Sequence, residues 1–389
     1  MKRVYRYLLR PSKAQEATMH QHLELLRELY NAALQNRRDA WRMAHKSISA
    51  NAQMLELIGV REVRPEFLAI HTHLLQDVIT RVKRALDAFF CRCKAGEKPG
   101  YPRFKGRGSY HTFTFKDAVN GNGASLVSGG KRVRLSGIGN VRFRKHRPIQ
   151  GTIKQISVTL SGDGRWYVSF CCDGVPAKPL PATGVDIGID LGITTFAAMS
   201  DGQMVDNPRF LKKERLEMLR SQRRYSNRTK GSHRRLKAVA VYAKRSAHVE
   251  NCRRNFHYNV AKWLCESFDH IGVEDLNIKG LCKGFLAKQV HDAAWGQFIL
   301  ILVAKAESAG RRVVKVDARG TSQVCSRCGG SVPKTLSERV HRCPHCGYVA
   351  PRDINSAQEV FNRMGRILRG EVVDVGLLND PRSPLLAPS

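Results

Sequence analysis

Four cysteines near the C-terminus, Cys325, Cys328, Cys343 and Cys346, stand as Cys-x2-Cys-x14-Cys-x2-Cys. Two such knuckles match a tetrahedral zinc ion held by four thiolates. The spacer is one residue below the usual range of about 15–20. Structural zinc contributes on the order of 10 kcal/mol to folding. A four-thiolate site leaves no open position, so the ion would staple a small ribbon and do no chemistry. His341 and His345 lie in the same stretch and could substitute as ligands, but the double knuckle favours the cysteines. Asp353 follows seven residues after Cys346, in Arg352-Asp353-Ile354-Asn355. A ribbon placed just before an acid reads as an insertion into a larger domain, beside that domain's active site.

Charge narrows the partner. The chain of 389 residues carries 66 Lys+Arg against 33 Asp+Glu, a net charge of +33. Such a field draws polyanions, and nucleic acid is the first candidate because neutralising phosphates releases counterions. The other seven cysteines (Cys91, Cys93, Cys171, Cys172, Cys252, Cys265 and Cys282) form no second ligand set and no paired framework, which fits a reducing cytoplasm. The first residues, Met1-Lys2-Arg3-Val4-Tyr5-Arg6, are charged and lack an apolar signal core. No apolar run approaches the roughly 20 residues that span a bilayer. The expected setting is a prokaryotic cytoplasm near the nucleoid, without a membrane partner.

The length allows two to four domains. Residues 3–9 read as a strand, and Ser12 and Gln15 form a capping box before an amphipathic helix carrying Met19, Leu23, Leu26, Tyr30 and Ala33. Helical patterning continues to about 95. Short β-like runs and glycine-rich loops fill 116–178. This predicts a small β-barrel from 1–10 and 100–178, interrupted by a helical domain at 11–99. After the proline-rich stretch Pro176–Pro181 comes a β-β-β-α-β-α-β rhythm. It assigns 182–318 to the first part of a mixed α/β domain, with a basic helical region at 208–268. A helix is expected from about His291 to Ala309, with Phe298–Ala304 buried. The ribbon takes 319–350, the last part of the α/β domain 351–375, and a disordered tail 376–389.

Elements in this order match the RNase H-like arrangement. Phosphodiester cleavage there uses two divalent cations, and Mg²⁺ requires carboxylates from separate elements to converge. Asp190 ends the first strand in Gly188-Ile189-Asp190-Leu191-Gly192. Glu274 ends the fourth in Val273-Glu274-Asp275-Leu276, and Asp353 begins the last helix. Asp186 lies four residues before Asp190 and would face the same side; Asp190 is preferred because its flanking glycines admit a substrate backbone. Asp275 points away from Glu274 in a strand. Asp353 alone could simply favour a helix N-terminus. No nucleophile elbow or phosphate-binding glycine loop competes.

From Arg209 to Arg254 there are 16 Lys+Arg and 3 Asp+Glu. Arg223, Arg224, Arg234 and Arg235 lead a phosphate-tracking face between two of the acids. Tyr101, Arg103, Phe104 and Lys105, with Phe113, Phe115 and Lys116, suit stacking plus phosphate contact; a place in the barrel core explains the four aromatic rings equally well.

These pieces together resemble the TnpB family of insertion-sequence-encoded RNA-guided DNA endonucleases, related to type V CRISPR effectors. The resemblance spans nearly the whole chain. It rests on Tyr5-Arg6-Tyr7 with Pro11, Phe89-Phe90, Gly96 through Lys105, the Asp190 and Glu274 motifs, Thr321 through Gly329, Cys343 through Gly347, and Arg352-Asp353-Ile354-Asn355. It implies a wedge-like barrel and recognition domain holding guide RNA, then a RuvC-like nuclease interrupted by the ribbon. It implies catalytic Asp190, Glu274 and Asp353 holding Mg²⁺, in two sites, with one structural zinc. It further implies a guide RNA from the element's own end, and a double-stranded DNA target cut next to a short motif that the protein reads. Ala350-Pro351 departs from the family, where an acid often precedes the arginine. A nuclease-inactive guided repressor and a CRISPR-associated effector of the same ancestry stay as alternatives. Monomer and dimer are both open.

Overall fold

Every second residue of the first strand, β1 (Arg3–Arg10), is buried: Tyr5, Tyr7 and Leu9. That period of two makes it a strand with one face in a core. The computed structural model describes residues 1–127, 129–335 and 337–371. The tail expected at 376–389 lies outside them. Contacts divide the chain into two units, meeting at Pro176 and Ala177.

In the first unit, β1 leads into α1 (Lys13–Ala44). Ser12 Oγ accepts from Gln15 N at 3.2 Å, and Gln15 Oε1 accepts from Ser12 N at 3.1 Å, closing the capping box. α2 (Ala50–Val63), a 3-10 turn (Pro65–Ala69) and α3 (Thr72–Lys94) follow. Met19, Leu23, Leu26 and Leu34 of α1 are buried, as are Leu75, Val78, Ile79 and Val82 of α3. Their spacing of three and four gives each helix one apolar stripe. Six strands complete the unit: β2 (Thr112–Phe115), β3 (Ala124–Leu126), β4 (Arg132–Leu135), β5 (Gly139–Phe143), β6 (Thr152–Leu160) and β7 (Trp166–Asp173). The sheet is antiparallel, in the order β2-β6-β7-β1-β5-β4-β3. β1 bridges its halves, pairing β7 through Arg3–Leu8 and β5 through Leu9 and Arg10. The expected barrel is therefore a nearly closed sheet, with β2 and β3 at its ends. Phe113 and Phe115 are fully buried in its core, which settles their two readings in favour of packing.

The second unit holds a five-stranded mixed sheet in the order β10-β9-β8-β11-β12. Its first strands are β8 (Ile187–Leu191), β9 (Thr195–Met199) and β10 (Met204–Asp206). The basic helical region resolves into α4 (Phe210–Ser226) and α5 (His233–Ser267), broken at a turn that Ser232 caps. Then come β11 (His270–Glu274), α6 (Ile278–Leu281), α7 (Ala287–Ala293), α8 (Trp295–Ala309) and β12 (Arg312–Val316). The single helix expected from His291 is two helices, because Ala294 takes a left-handed φ of 50° between α7 and α8. Within 298–304, Phe298, Ile299 and Leu302 are buried, but Leu300 is exposed. A small hairpin, β13 (Val340–Arg342) and β14 (Val349–Pro351), precedes α9 (Arg352–Leu368). α5 and α8 cover one face of the sheet, through Leu264, Phe298 and Leu302. α9 covers the other, where Val360 and Met364 meet Val314 and Val316.

Candidate active site

β8 and β11 are parallel neighbours at the centre of the sheet, with Gly188 beside Gly272 and Ile189 beside Val273. One step on, Asp190 and Glu274 stand side by side at the carboxyl ends of their strands. Alternation fixes their facing. Ile187, Ile189, Ile271 and Val273 enter the core shared with α5 and α8. Gly188, Asp190, Gly272 and Glu274 take the face that α9 covers.

The glycines explain how α9 comes so close. A Cβ on Gly188 would lie 2.3 Å from Ala357 O and 2.5 Å from Phe361 N. One on Gly272 would lie 3.2 Å from Met364 Cβ. The helix thus rests directly on the strand backbone. The expected reason for the glycines around Asp190 is corrected here: the space at Gly188 belongs to α9, not to a substrate. At Gly192 a Cβ would meet Thr195 O at 2.6 Å, in the β8–β9 turn. Asp353 sits in the first turn of α9, where a helix N-terminus favours negative charge.

Electrostatics link the three acids. Burial pushes the Asp190 carboxyl well above the usual range, and the charges of Glu274 and Asp353 push it further; Arg352 opposes them. Burial also raises Glu274, against the Thr321 hydroxyl and Arg363. Asp190 and Glu274 share a hydrogen bond, so the pair retains a proton readily. Thr321, which the sequence marks only as part of the motif before the first knuckle, is buried, and its Oγ1 donates to Glu274 Oε1 at 2.5 Å. The neighbouring acids do other work. Asp186 Oδ1 accepts from His270 N at 3.0 Å and pairs with His270 Nδ1 at 2.7 Å. Asp275 pairs with Lys315 at 2.6 Å.

Among the described residues, the four cysteines are the one group of at least three His, Cys, Asp or Glu ligand atoms all within 4.8 Å of one another. Cys325 and Cys346 Sγ are 3.7 Å apart, Cys328 and Cys343 Sγ 3.6 Å. A tetrahedral ion with Zn–S near 2.3 Å requires about 3.8 Å between sulfurs, so the cluster fits zinc. Burial opposes ionisation of Cys343, but amide donors from Cys346 and His345 and the neighbouring thiols lower it to about 6. His341 instead contacts Lys334 Nζ, and His345 Nε2 faces Ser331 O. The acids are spread more widely than the thiols. Their chemistry, oxygen donors with strained negative charge, suits a hard divalent cation.

The ribbon is tied to α9 by one polar stripe. Asn355, fully buried, accepts from Ser326 N at 3.0 Å and donates to Val324 O at 2.8 Å. Gln358 Oε1 accepts from Ser326 Oγ at 2.9 Å and Tyr348 Oη at 2.7 Å. Asn362 Nδ2 donates to Ser326 O at 2.7 Å. These three positions, three and four apart, lie on one helix face.

The basic candidates fall in both units. In the first, Tyr101, Arg103, Phe104 and Lys105 are exposed, and Tyr101 packs edge-on against Phe89 at 5.4 Å. In the second, Arg223, Arg224 and Arg234 are exposed. Arg235 instead clamps the α4–α5 turn, its Nη1 donating to Tyr225 O at 2.7 Å and Arg228 O at 2.9 Å. Arg224, Arg228, Arg234 and Lys237 line a groove of about 400 Å³. No helix among the described residues is long and apolar enough to cross a membrane.

Three family models match the chain: a helix-turn-helix domain of the OrfB_IS605 group over residues 1–46, the "Probable transposase" domain of that group over 169–283, and a Cas12f1-like TNB domain over 295–360. A relative from Streptomyces pristinaespiralis, named "Putative RNA-guided DNA endonuclease", is 29% identical and aligns over 93% of this chain and 89% of its own. Another with that name, InsQ of Escherichia coli (strain K12), is 25% identical over 97% of this chain and 96% of its own. TnpB-like protein L79 of Acanthamoeba polyphaga mimivirus is 28% identical over 29% of this chain and 23% of its own. With these models at its start, middle and end, and relatives aligned along almost its full length, the chain belongs to the TnpB family.

Proposed function

We propose that this protein is an RNA-guided, Mg²⁺-dependent DNA endonuclease of a mobile element, with a RuvC-like active site at the carboxyl edge of the mixed sheet. The observation that carries the reading is the pairing of Asp190 with Glu274 across the two central parallel strands, with Asp353 brought to them by α9. The names of the two long relatives support guidance by RNA and DNA as the substrate. The net charge of +33 supports both polyanions.

Asp190, Glu274 and Asp353 would hold the magnesium. When bound, it lowers the pKa of a coordinated water and offsets charge on the scissile phosphate. The chain's part is to gather the carboxylates and keep them ionised. Asp190 and Glu274 must give up their shared proton, and Thr321 steadies Glu274 in its charged form. Arg352 offsets part of the negative charge around Asp190. Cys325, Cys328, Cys343 and Cys346 would hold a structural zinc that fixes the ribbon against α9. In this assignment the sheet of residues 1–10 and 100–178 and the helices of 11–99 carry guide and heteroduplex. Segments 182–318 and 351–375 form the nuclease, around the ribbon at 319–350. Tyr101, Arg103, Phe104, Lys105, Arg223, Arg224 and Arg234 are offered to nucleic acid.

The test is to express the protein with its native flanking DNA, sequence the RNA that co-purifies, and assay cleavage of matched DNA with Mg²⁺. One abundant RNA ending at the element boundary is expected. Asp190→Ala and Glu274→Ala should abolish cleavage while RNA and DNA binding persist. Cleavage by Asp190→Ala at the wild-type rate, or RNA of random cellular origin, would overturn the assignment.

A further inference from the structure

A cavity of about 680 Å³ opens between α4, α5 and α7. Its size is in the range of small-ligand sites. Ile193, Leu211, Met218 and Tyr242 give it apolar walls, and the Tyr242 ring is steadied edge-on by Tyr225 at 5.3 Å. Lys212, Arg215 and Lys288 add positive charge to the same lining. The lining acid, Asp292, is already engaged. It accepts from Leu211 N at 3.0 Å and Lys212 N at 3.4 Å, and pairs with Arg253 at 3.2 Å.

The position ties this cavity to the candidate active site. β8 and β10 both run antiparallel to β9, so they end at the same edge of the sheet. Asn207, just past β10, donates from Nδ2 to Ile193 O at 2.8 Å, and both residues line the cavity. Ile193 is three residues beyond Asp190, a separation that cannot exceed about 11 Å of extended chain. The cavity wall therefore begins within one or two nucleotides of any phosphate held at Asp190.

An apolar slot with an aromatic wall suits the π-face of a base, and cations around it suit the flanking phosphates. An apolar small molecule would leave the cations without purpose, and a stacked duplex could not insert a base. We propose that this cavity takes one unstacked nucleobase of the DNA strand being cut, with adjacent phosphates on Lys212, Arg215 and Lys288. It rests on the nuclease reading and deepens it. A base can enter only after its strand is unpaired, so the cavity would make cleavage wait for strand separation.

The guide-loaded protein can test this with matched target DNAs in which a single abasic site is moved one nucleotide at a time past the cut. Wild-type cleavage should slow about tenfold at one position near the cut, the scale of losing one base–aromatic contact. Met218→Trp puts a second large ring into the cavity, where it competes with the base for the slot; it should slow cutting of intact DNA by a similar factor and erase the dependence on that position. Tyr242→Ala, which opens the cavity instead, should erase it too and guards against a folding defect in the first variant. A flat abasic profile in the wild type, or a wild-type profile in both variants, overturns the proposal. Those outcomes leave the nuclease assignment standing if Asp190→Ala is inactive; cutting by Asp190→Ala would sink the assignment itself.

Discussion

Asp190→Asn should make the protein more stable while destroying its activity. The two acids occupy neighbouring positions on adjacent strands, and strands lie about 4.8 Å apart. At an effective dielectric constant near 20, two unit charges at that distance repel by roughly 3 kcal/mol. Asparagine keeps the shape and a hydrogen bond to Glu274 and removes one charge. For a unit of this size the relief corresponds to a rise of roughly 6–12 °C in Tm. The sign depends on pH. The carboxyls of Asp190 and Glu274 are both raised in the fold, so their stabilising contribution is complete below the ordinary carboxylate range and is lost as pH rises through the raised values. The advantage of Asp190→Asn should therefore be small in acid and grow toward alkaline pH. Thermal unfolding followed by circular dichroism from pH 5 to 9, without added magnesium, measures it. Millimolar Mg²⁺ should then raise the wild-type Tm and move the variant much less, because binding to the native state alone stabilises it. An advantage independent of pH, or a less stable variant, would refute the like-charge account of this edge.

Two further substitutions probe the supports of the site. Gly188→Ala places a Cβ 2.3 Å from Ala357 O, so α9 must lift from the sheet. Overpacking of this kind costs roughly 1–3 kcal/mol; cleavage should fall sharply while zinc content, read by atomic absorption, stays at the wild-type level. Thr321→Val removes the hydroxyl that favours the ionised form of Glu274 against the effect of burial. It should cost roughly 1–3 kcal/mol and move the acidic limb of the cleavage pH profile upward, with Thr321→Ser restoring both.

Local chemistry was readable where neighbours in sequence decide it. The capping box at Ser12 and Gln15 needs only four residues. The alternation of Tyr5, Tyr7 and Leu9 needs only a strand. The ribbon's ligand set needs only spacing, because four thiolates around one ion leave little choice. Other features depended on partners far along the chain. Nothing near Gly188 says that Ala357 and Phe361 will lie against it. Thr321 becomes a partner of Glu274 only when β11 and the segment after β12 are brought together. Arg235 looked like one more cation in a basic run, yet the α4–α5 turn places two carbonyls within its reach. The break at Ala294 escaped the periodic pattern because alanine normally continues a helix; a left-handed alanine costs roughly 1–2 kcal/mol and tertiary packing must supply it.

Helix α9 carries two separate agreements on its two faces. Ala357, Val360 and Met364 meet the sheet, while Asn355, Gln358 and Asn362 meet the ribbon. Its acid is also the last of the three to leave the ribosome, after both knuckles. A chain under synthesis therefore displays Asp190 and Glu274 early but lacks the third carboxylate until the ribbon that braces its helix has been made. The three-acid edge is thereby completed only once the ribbon has been made, when the whole first unit has already left the ribosome.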